Sequence, residues 1–148
     1  MNLIDLFCSF DGRIGRKTYW MATAAIVAAE FFVMVMAALA IGEWVADFVM
    51  LIFFYPQFVV AAKRGHDRNI SIWIVGVVFA ATLVLDVLDI FFGLALENPY
   101  HDPLTFVATI AFAVLGAAML VELGFRKGTA GPNRYGPDPL AASSPGGG

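Results

Sequence analysis

The sequence predicts an all-α membrane protein, a four-transmembrane-helix bundle of N-in/C-in topology with a short N-terminal interfacial helix. Three observations lead there. Of 148 residues, 60% are hydrophobic and 14% charged, whereas soluble domains run nearer half apolar and a quarter charged. Long apolar runs recur along the chain, each able to cross a hydrocarbon core of about 30 Å at about 1.5 Å per residue. The nine Lys and Arg residues are segregated into three clusters, which gives the spans a direction.

Residues 1–17, "MNLIDLFCSFDGRIGRK", begin with Leu3, Ile4, Leu6, Phe7 and Phe10 at roughly helical spacing. This predicts a short interfacial helix followed by a turn at Gly12 and Gly15. The first span covers residues 19–41 and closes at Gly42; it is too long for a signal-peptide core and is expected to stay as an anchor. The second span covers 44–62 and contains Pro56, which removes one ladder hydrogen bond and is expected to kink the helix. The third covers 72–96, with Asn69 or Ser71 as N-cap. The fourth covers 104–125. Residues 1–139 therefore form a single four-span domain, and the tail 140–148, ending in "SSPGGG", is expected to be disordered.

The basic residues fix the orientation. Arg13, Arg16 and Lys17 precede the first span, Lys63, Arg64 and Arg68 lie between the second and third, and Arg126, Lys127 and Arg134 follow the fourth. Short loops rich in Lys and Arg stay in the cytoplasm, so both termini are expected there. Tyr19, Trp20 and Trp73 would mark the inner interface, Trp44 and Tyr100 the outer. Small residues at helical spacing, Ala25/Ala29, Gly76/Ala80 and Thr109/Ala113/Ala117, are expected at helix contacts, either within the bundle or between two copies.

Topology alone demands charge, but not the phrases in which it comes. "FDGRIGRKTYW" (10–20), Pro56 followed by "KRGHDRNISIW" (63–73), and "GPNRYGPDP" (131–139) occur in order over nearly the whole chain. They resemble the pattern of domain-of-unknown-function family 805, small bacterial inner-membrane proteins. The resemblance implies a bacterial inner membrane and a fold, but no activity. Ile72 stands where that pattern has a smaller residue.

Two readings of the shared face compete. Arginine forks beside Gly-rich turns make a phosphate cradle for anionic lipid headgroups. Alternatively, Asp67 and Asp138 pair with the arginines and lock the loops against the tail, with lipid contact secondary; the lock is the preferred reading. The face comprises Arg13, Arg16, Lys63, Arg64, His66, Asp67, Arg68, Asn133 and Arg134. A metal-dependent hydrolase site at His66–Asp67 needs several converging ligands, and His101 is expected on the opposite side. Cys8 and His66 are a conceivable nucleophile–base pair with nothing around them to support it. No catalytic, cofactor or metal site is read.

A second set lies inside the spans: Glu30, Asp86 and Asp89, with Asp47 near the same height and no basic residue within reach. Ionised acids there are costly. The set predicts protonated acids bonded between helices, a proton or cation path, or a pocket for a cationic substrate. Glu122 is expected to pair with Arg126 one turn on. The outer-loop trio Glu97, His101 and Asp102 is an ordinary polar loop that could bind a divalent ion. The functional expectation is a non-enzymatic interaction protein that contacts partner spans, a second copy or anionic lipids, not nucleic acid. The alternative is a proton or cation conduit through the buried carboxylates.

Overall fold

The computed structural model describes residues 2–92 and 103–141. Helix α1 (Leu3–Cys8) is followed by α2 (Arg16–Ala40), α3 (Glu43–Asp67), α4 (Ile72–Phe92) and α5 (Pro103–Met119), which ends in a π-helical stretch, Leu120–Phe125. No strand occurs among the described residues. Arg16–Ala40, Phe48–Asp67 and Phe106–Phe125 are long and apolar enough to cross a membrane, and α4 adds a shorter apolar stretch, Ile72–Leu88. The side chains of Trp44, Asp47 and Asp89 lie outside the described ones, as do residues 93–102 with Glu97, Tyr100, His101 and Asp102.

The helix ends follow local chemistry. The Asn2 side chain caps α1 by accepting the Asp5 N–H at 2.7 Å. Gly42, at φ 134°, turns the chain between α2 and α3. Helix α3 runs through Pro56 and continues past Ala62 to Asp67. The stretch expected as a loop therefore begins as the last turn of a helix. It stops at Asn69, whose φ of 58° is left-handed. The Asn69 N–H donates to the His66 carbonyl at 3.0 Å and the Ile70 N–H to that of Gly65 at 2.8 Å, closing the helix with a Schellman motif. Ser71 then opens α4, its carbonyl accepting from the Ile74 N–H at 3.0 Å. Asn69 thus ends one helix and Ser71 begins the next.

Helix α3 is the centre of the packing: α1, α2, α4 and the π-helical stretch all contact it. The apolar core lies at the end where α2 begins and α3 finishes, built from Ile14, Tyr19, Ala22, Ile26, Val60, Ala61, Val75 and Leu123. Tyr19 is buried in this core, whereas Trp73 is 79% exposed. The buried stripe of α2 is Tyr19–Ala22–Ile26, so Ala25 and Ala29 are exposed. Ala80, Ala113 and Ala117 are exposed as well, while Gly76 faces Phe58. In the α3–α4 interface Phe54 and Phe58 both pack against Phe79, with Gly76 beside Phe58.

Candidate functional site: a charged clasp closed by three motifs

The three motifs converge on Asp67, the last residue of α3. Its Oδ1 accepts from Arg13 Nε at 3.2 Å and Nη2 at 2.9 Å. Its Oδ2 accepts from Arg64 Nη1, one turn back on the same helix. Both cations and the anion are buried, with Arg64 fully enclosed. A buried carboxylate between two guanidinium groups is tolerable only because the remaining donors also find acceptors.

They find backbone. Arg13 Nη1 donates to the Gly131 carbonyl at 2.8 Å and to that of Gly136 at 3.3 Å, and Nη2 to that of Thr129 at 2.7 Å. Arg64 Nε donates to the Leu123 carbonyl at 2.6 Å and Nη2 to that of Arg126. Trp20 Nε1 takes the Gly124 carbonyl at 3.1 Å, and Arg16 Nη1 that of Phe125 at 3.2 Å. A helix C-terminus leaves its last carbonyls without partners; here side chains from α2 and α3 satisfy those of the π-helical stretch. Lys63, also fully enclosed, donates to the Asp5 carbonyl and ties α1 to α3.

His66 joins all three motifs. Its Nδ1 lies 3.2 Å from the Gly12 carbonyl; that oxygen only accepts, so Nδ1 carries the proton. Its ring stacks on Tyr135 at 3.9 Å between centroids and 6° between planes, and its carbonyl accepts from Asn133 Nδ2 at 2.9 Å. The Arg134 guanidinium lies 4.7 Å from the Tyr135 ring centre. Asn133 and Gly136 exchange two backbone hydrogen bonds of 3.0 Å, a tight turn that needs glycine because Gly136 has φ 133°.

Glycine also permits the closest approach in the clasp. A Cβ on Gly128 would sit 2.0 Å from Asp67 Oδ2, so the tail reaches the carboxylate only without a side chain there. The Thr129 N–H then donates to the Asp67 carbonyl at 2.8 Å. Asp138 differs from its expected role. It pairs with no arginine; its oxygens accept the Gly131 N–H at 2.8 Å and the Leu140 N–H at 2.9 Å. Those two backbone donors hold its carboxyl below the usual carboxylate range.

Glu122 pairs with Arg126 at 2.6 Å as the spacing suggests, and its other oxygen accepts from Arg68 at 2.8 Å. The second partner is invisible in sequence because α3 and the π-helical stretch are distant along the chain.

The membrane-depth acids are arranged differently. Glu30 Oε2 accepts from Gln57 Nε2 on α3 at 2.8 Å. Gln57 was not singled out in the sequence, although an amide inside an apolar run is the signal that could have found it. Asp86 is on α4, and α2 and α4 each pack against α3. A cavity of about 220 Å³ between the helices is lined by Thr23, Gln57 and Thr82 beside Phe79 and Met119; Glu30 and Asp86 are not in its wall. Cys8 is exposed. No group of three or more His, Cys, Asp or Glu side chains suited to a metal ion occurs among the described residues.

The family model described as "Protein of unknown function (DUF805)" matches residues 7–137. The chain belongs to that family. The match begins just before the first motif and ends within the third, so it contains nearly all of the clasp. No curated protein and no solved structure matches the chain.

Proposed function

We propose that this member of the DUF805 family is a non-enzymatic, four-span protein of the bacterial inner membrane with both termini in the cytoplasm. Its clasp holds a basic cytoplasmic platform that contacts anionic lipids or the spans of a partner protein. The observation that carries the reading is the division of labour among the cations. Arg13, Lys63 and Arg64 are buried and committed to Asp67 or to backbone carbonyls. Lys17, Lys127 and Arg134 remain exposed on the same end. The first group positions; the second group meets whatever lies outside.

Sidedness and contact are separately testable. Cys8 is the single cysteine and is exposed, so a membrane-impermeant maleimide should label it in cells only after permeabilisation. Labelling of intact spheroplasts would overturn the cytoplasmic assignment. For contact, Lys17→Gln, Lys127→Gln and Arg134→Gln combined should lower the anionic lipid and protein partners that co-purify with the full chain. An unchanged profile would overturn the platform reading. The conduit alternative is the weaker one, because the Glu30 carboxylate is bonded to Gln57 across α2 and α3, an arrangement suited to holding two helices together.

A further inference from the structure

A cleft of about 770 Å³ opens beside the clasp, between the start of α2, the last turn of α3 and the tail. Its volume falls within the roughly 300–1,000 Å³ of small-ligand sites. We infer that it binds a phosphate oxyanion, with Lys17 and Lys127 as the charged contacts. The inference rests on the platform reading above and gives it a definite place and ligand chemistry.

Charge decides the ligand. Six ionisable side chains line the cleft: Arg16, Lys17, Arg64, Asp67, Lys127 and Asp138. The two acids are already answered, Asp67 by Arg13 and Arg64, and Asp138 by the Gly131 and Leu140 N–H groups. A cation would therefore gain little here. Lys17 and Lys127 are exposed, and neither makes an ion pair among the four found for the described residues. They line the cleft from two different segments, the start of α2 and the stretch after the π-helical turn. An anion between them would receive two charge-assisted hydrogen bonds.

The wall itself adds donors. Gly15 precedes α2 and offers no side-chain cap, and the first helical bond is from the Tyr19 N–H to the Gly15 carbonyl at 3.0 Å. The Arg16, Lys17 and Thr18 N–H groups thus have no helical acceptor, and all three residues line the cleft. One turn along α2, Trp20 and Phe125 form a partly exposed aromatic edge. That edge suits the glycerol and upper acyl region of a lipid whose phosphate occupies the cleft. A lipid headgroup and free phosphate share the same oxyanion chemistry, and the experiment separates them.

Native mass spectrometry of the detergent-purified full chain, titrated with phosphatidylglycerol or with phosphatidylcholine of the same acyl chains, tests the inference. Wild type should retain phosphatidylglycerol preferentially. Lys17→Gln with Lys127→Gln should reduce that retention about tenfold or more. Arg126→Glu, an equal change of net charge outside the cleft lining, should change it less than about threefold. Ala130→Glu places a carboxylate in the cleft wall and should repeat the lysine result, which guards against a folding defect in either variant. Displacement by millimolar inorganic phosphate assigns the site to free phosphate; retention assigns it to the headgroup. A loss in Arg126→Glu equal to that in the double lysine variant would overturn the cleft and leave a general basic platform standing. No preference for phosphatidylglycerol, with no displaceable inorganic phosphate, would overturn the site altogether.

Discussion

At the basic end, Lys63 and Arg64 are fully enclosed and Asp67 is 3% exposed, each bonded to another element or to a charged neighbour. Along α5, Val107, Ile110 and Val114 are half or more exposed, and the contacts to the rest of the molecule concentrate in the π-helical stretch that follows. The same chain is thus tightly determined at one end and loosely gathered in its apolar half. In lipid there is no hydrophobic drive between helices, so packing and polar bonds must hold them. Here most of the polar bonds described are gathered where the spans end, with Gln57–Glu30 bridging α2 and α3 within them, and the apolar faces are left for lipid or a partner.

If that contrast is right, the largest loss comes from Asp67. Asp67→Asn keeps the shape but leaves Arg13 and Arg64 buried without an anion. Removing one member of a buried charge network costs about 3–5 kcal/mol. Unfolding of the purified protein in detergent by urea or heat should show a loss of that size; a change below about 1 kcal/mol would mean that the arginines relax into water and that the clasp is not structural.

Glycine replacements sharpen the comparison because the two regions should answer oppositely. Gly128→Ala puts a methyl 2.0 Å from Asp67 Oδ2, and the carboxylate cannot swing aside without leaving Arg13 and Arg64. An overpacking cost of about 1–3 kcal/mol is expected. On α5, a Cβ at Gly116 meets nothing within 4 Å, and alanine is the better helix former. Gly116→Ala should leave the melting temperature unchanged or raise it. Equal damage from both would erase the distinction between the two ends.

Tyr135→Leu tests the tail's own contribution. It removes the stack on His66 and the surface under Arg134, and aromatic pairs of this kind contribute about 0.5–1.5 kcal/mol. The tail should exchange its amide hydrogens faster at residues 128–141, while protection of α2 and α3 is retained. Uniformly faster exchange would place the stack in the global core instead.

This division of forces also explains what the sequence disclosed. The apolar runs gave the helices, because length and hydropathy are local properties. The ordered motifs announced a shared end, because Asp, Arg and Gly in that company have few uses besides pairing and close approach. The partners were another matter. That Arg68 would reach Glu122 and that Gln57 would meet Glu30 depend on how helices rotate about their axes, and that Asp138 would accept from Gly131 and Leu140 depends on how the tail folds back on itself. Periodicity leaves rotation open when a helix is apolar all round. For the same reason the small-residue spacing on α2 did not mark the stripe packed within the chain: Ala25 and Ala29 fit a close contact as well as Ala22 does, but Ala22 is the one that lies with Tyr19 and Ile26.

The smallest expected effect belongs to Asp138, and its direction follows from the two N–H groups that it accepts. Its carboxyl is held below the ordinary 3.8, first by Leu140 and then by Gly131, with Arg13 adding a minor attraction. A carboxyl with a lowered folded-state pKa stabilises above its unfolded value, and the contribution disappears as pH falls through the lowered one. Tail protection should therefore be flat from neutral pH to about 4 and decline only in stronger acid. Asp138→Asn keeps an acceptor oxygen but no charge, so it should show slightly faster tail exchange at neutral pH and lack the acid step. Since Arg13 donates to the Gly131 carbonyl while Asp138 accepts the Gly131 N–H, loosening in acid should appear first at Gly131 and only later at Asp67. Simultaneous loss at both would mean that the turn and the buried pair form one cooperative unit, and that the contrast between rigid clasp and adjustable rim lies further out along the tail.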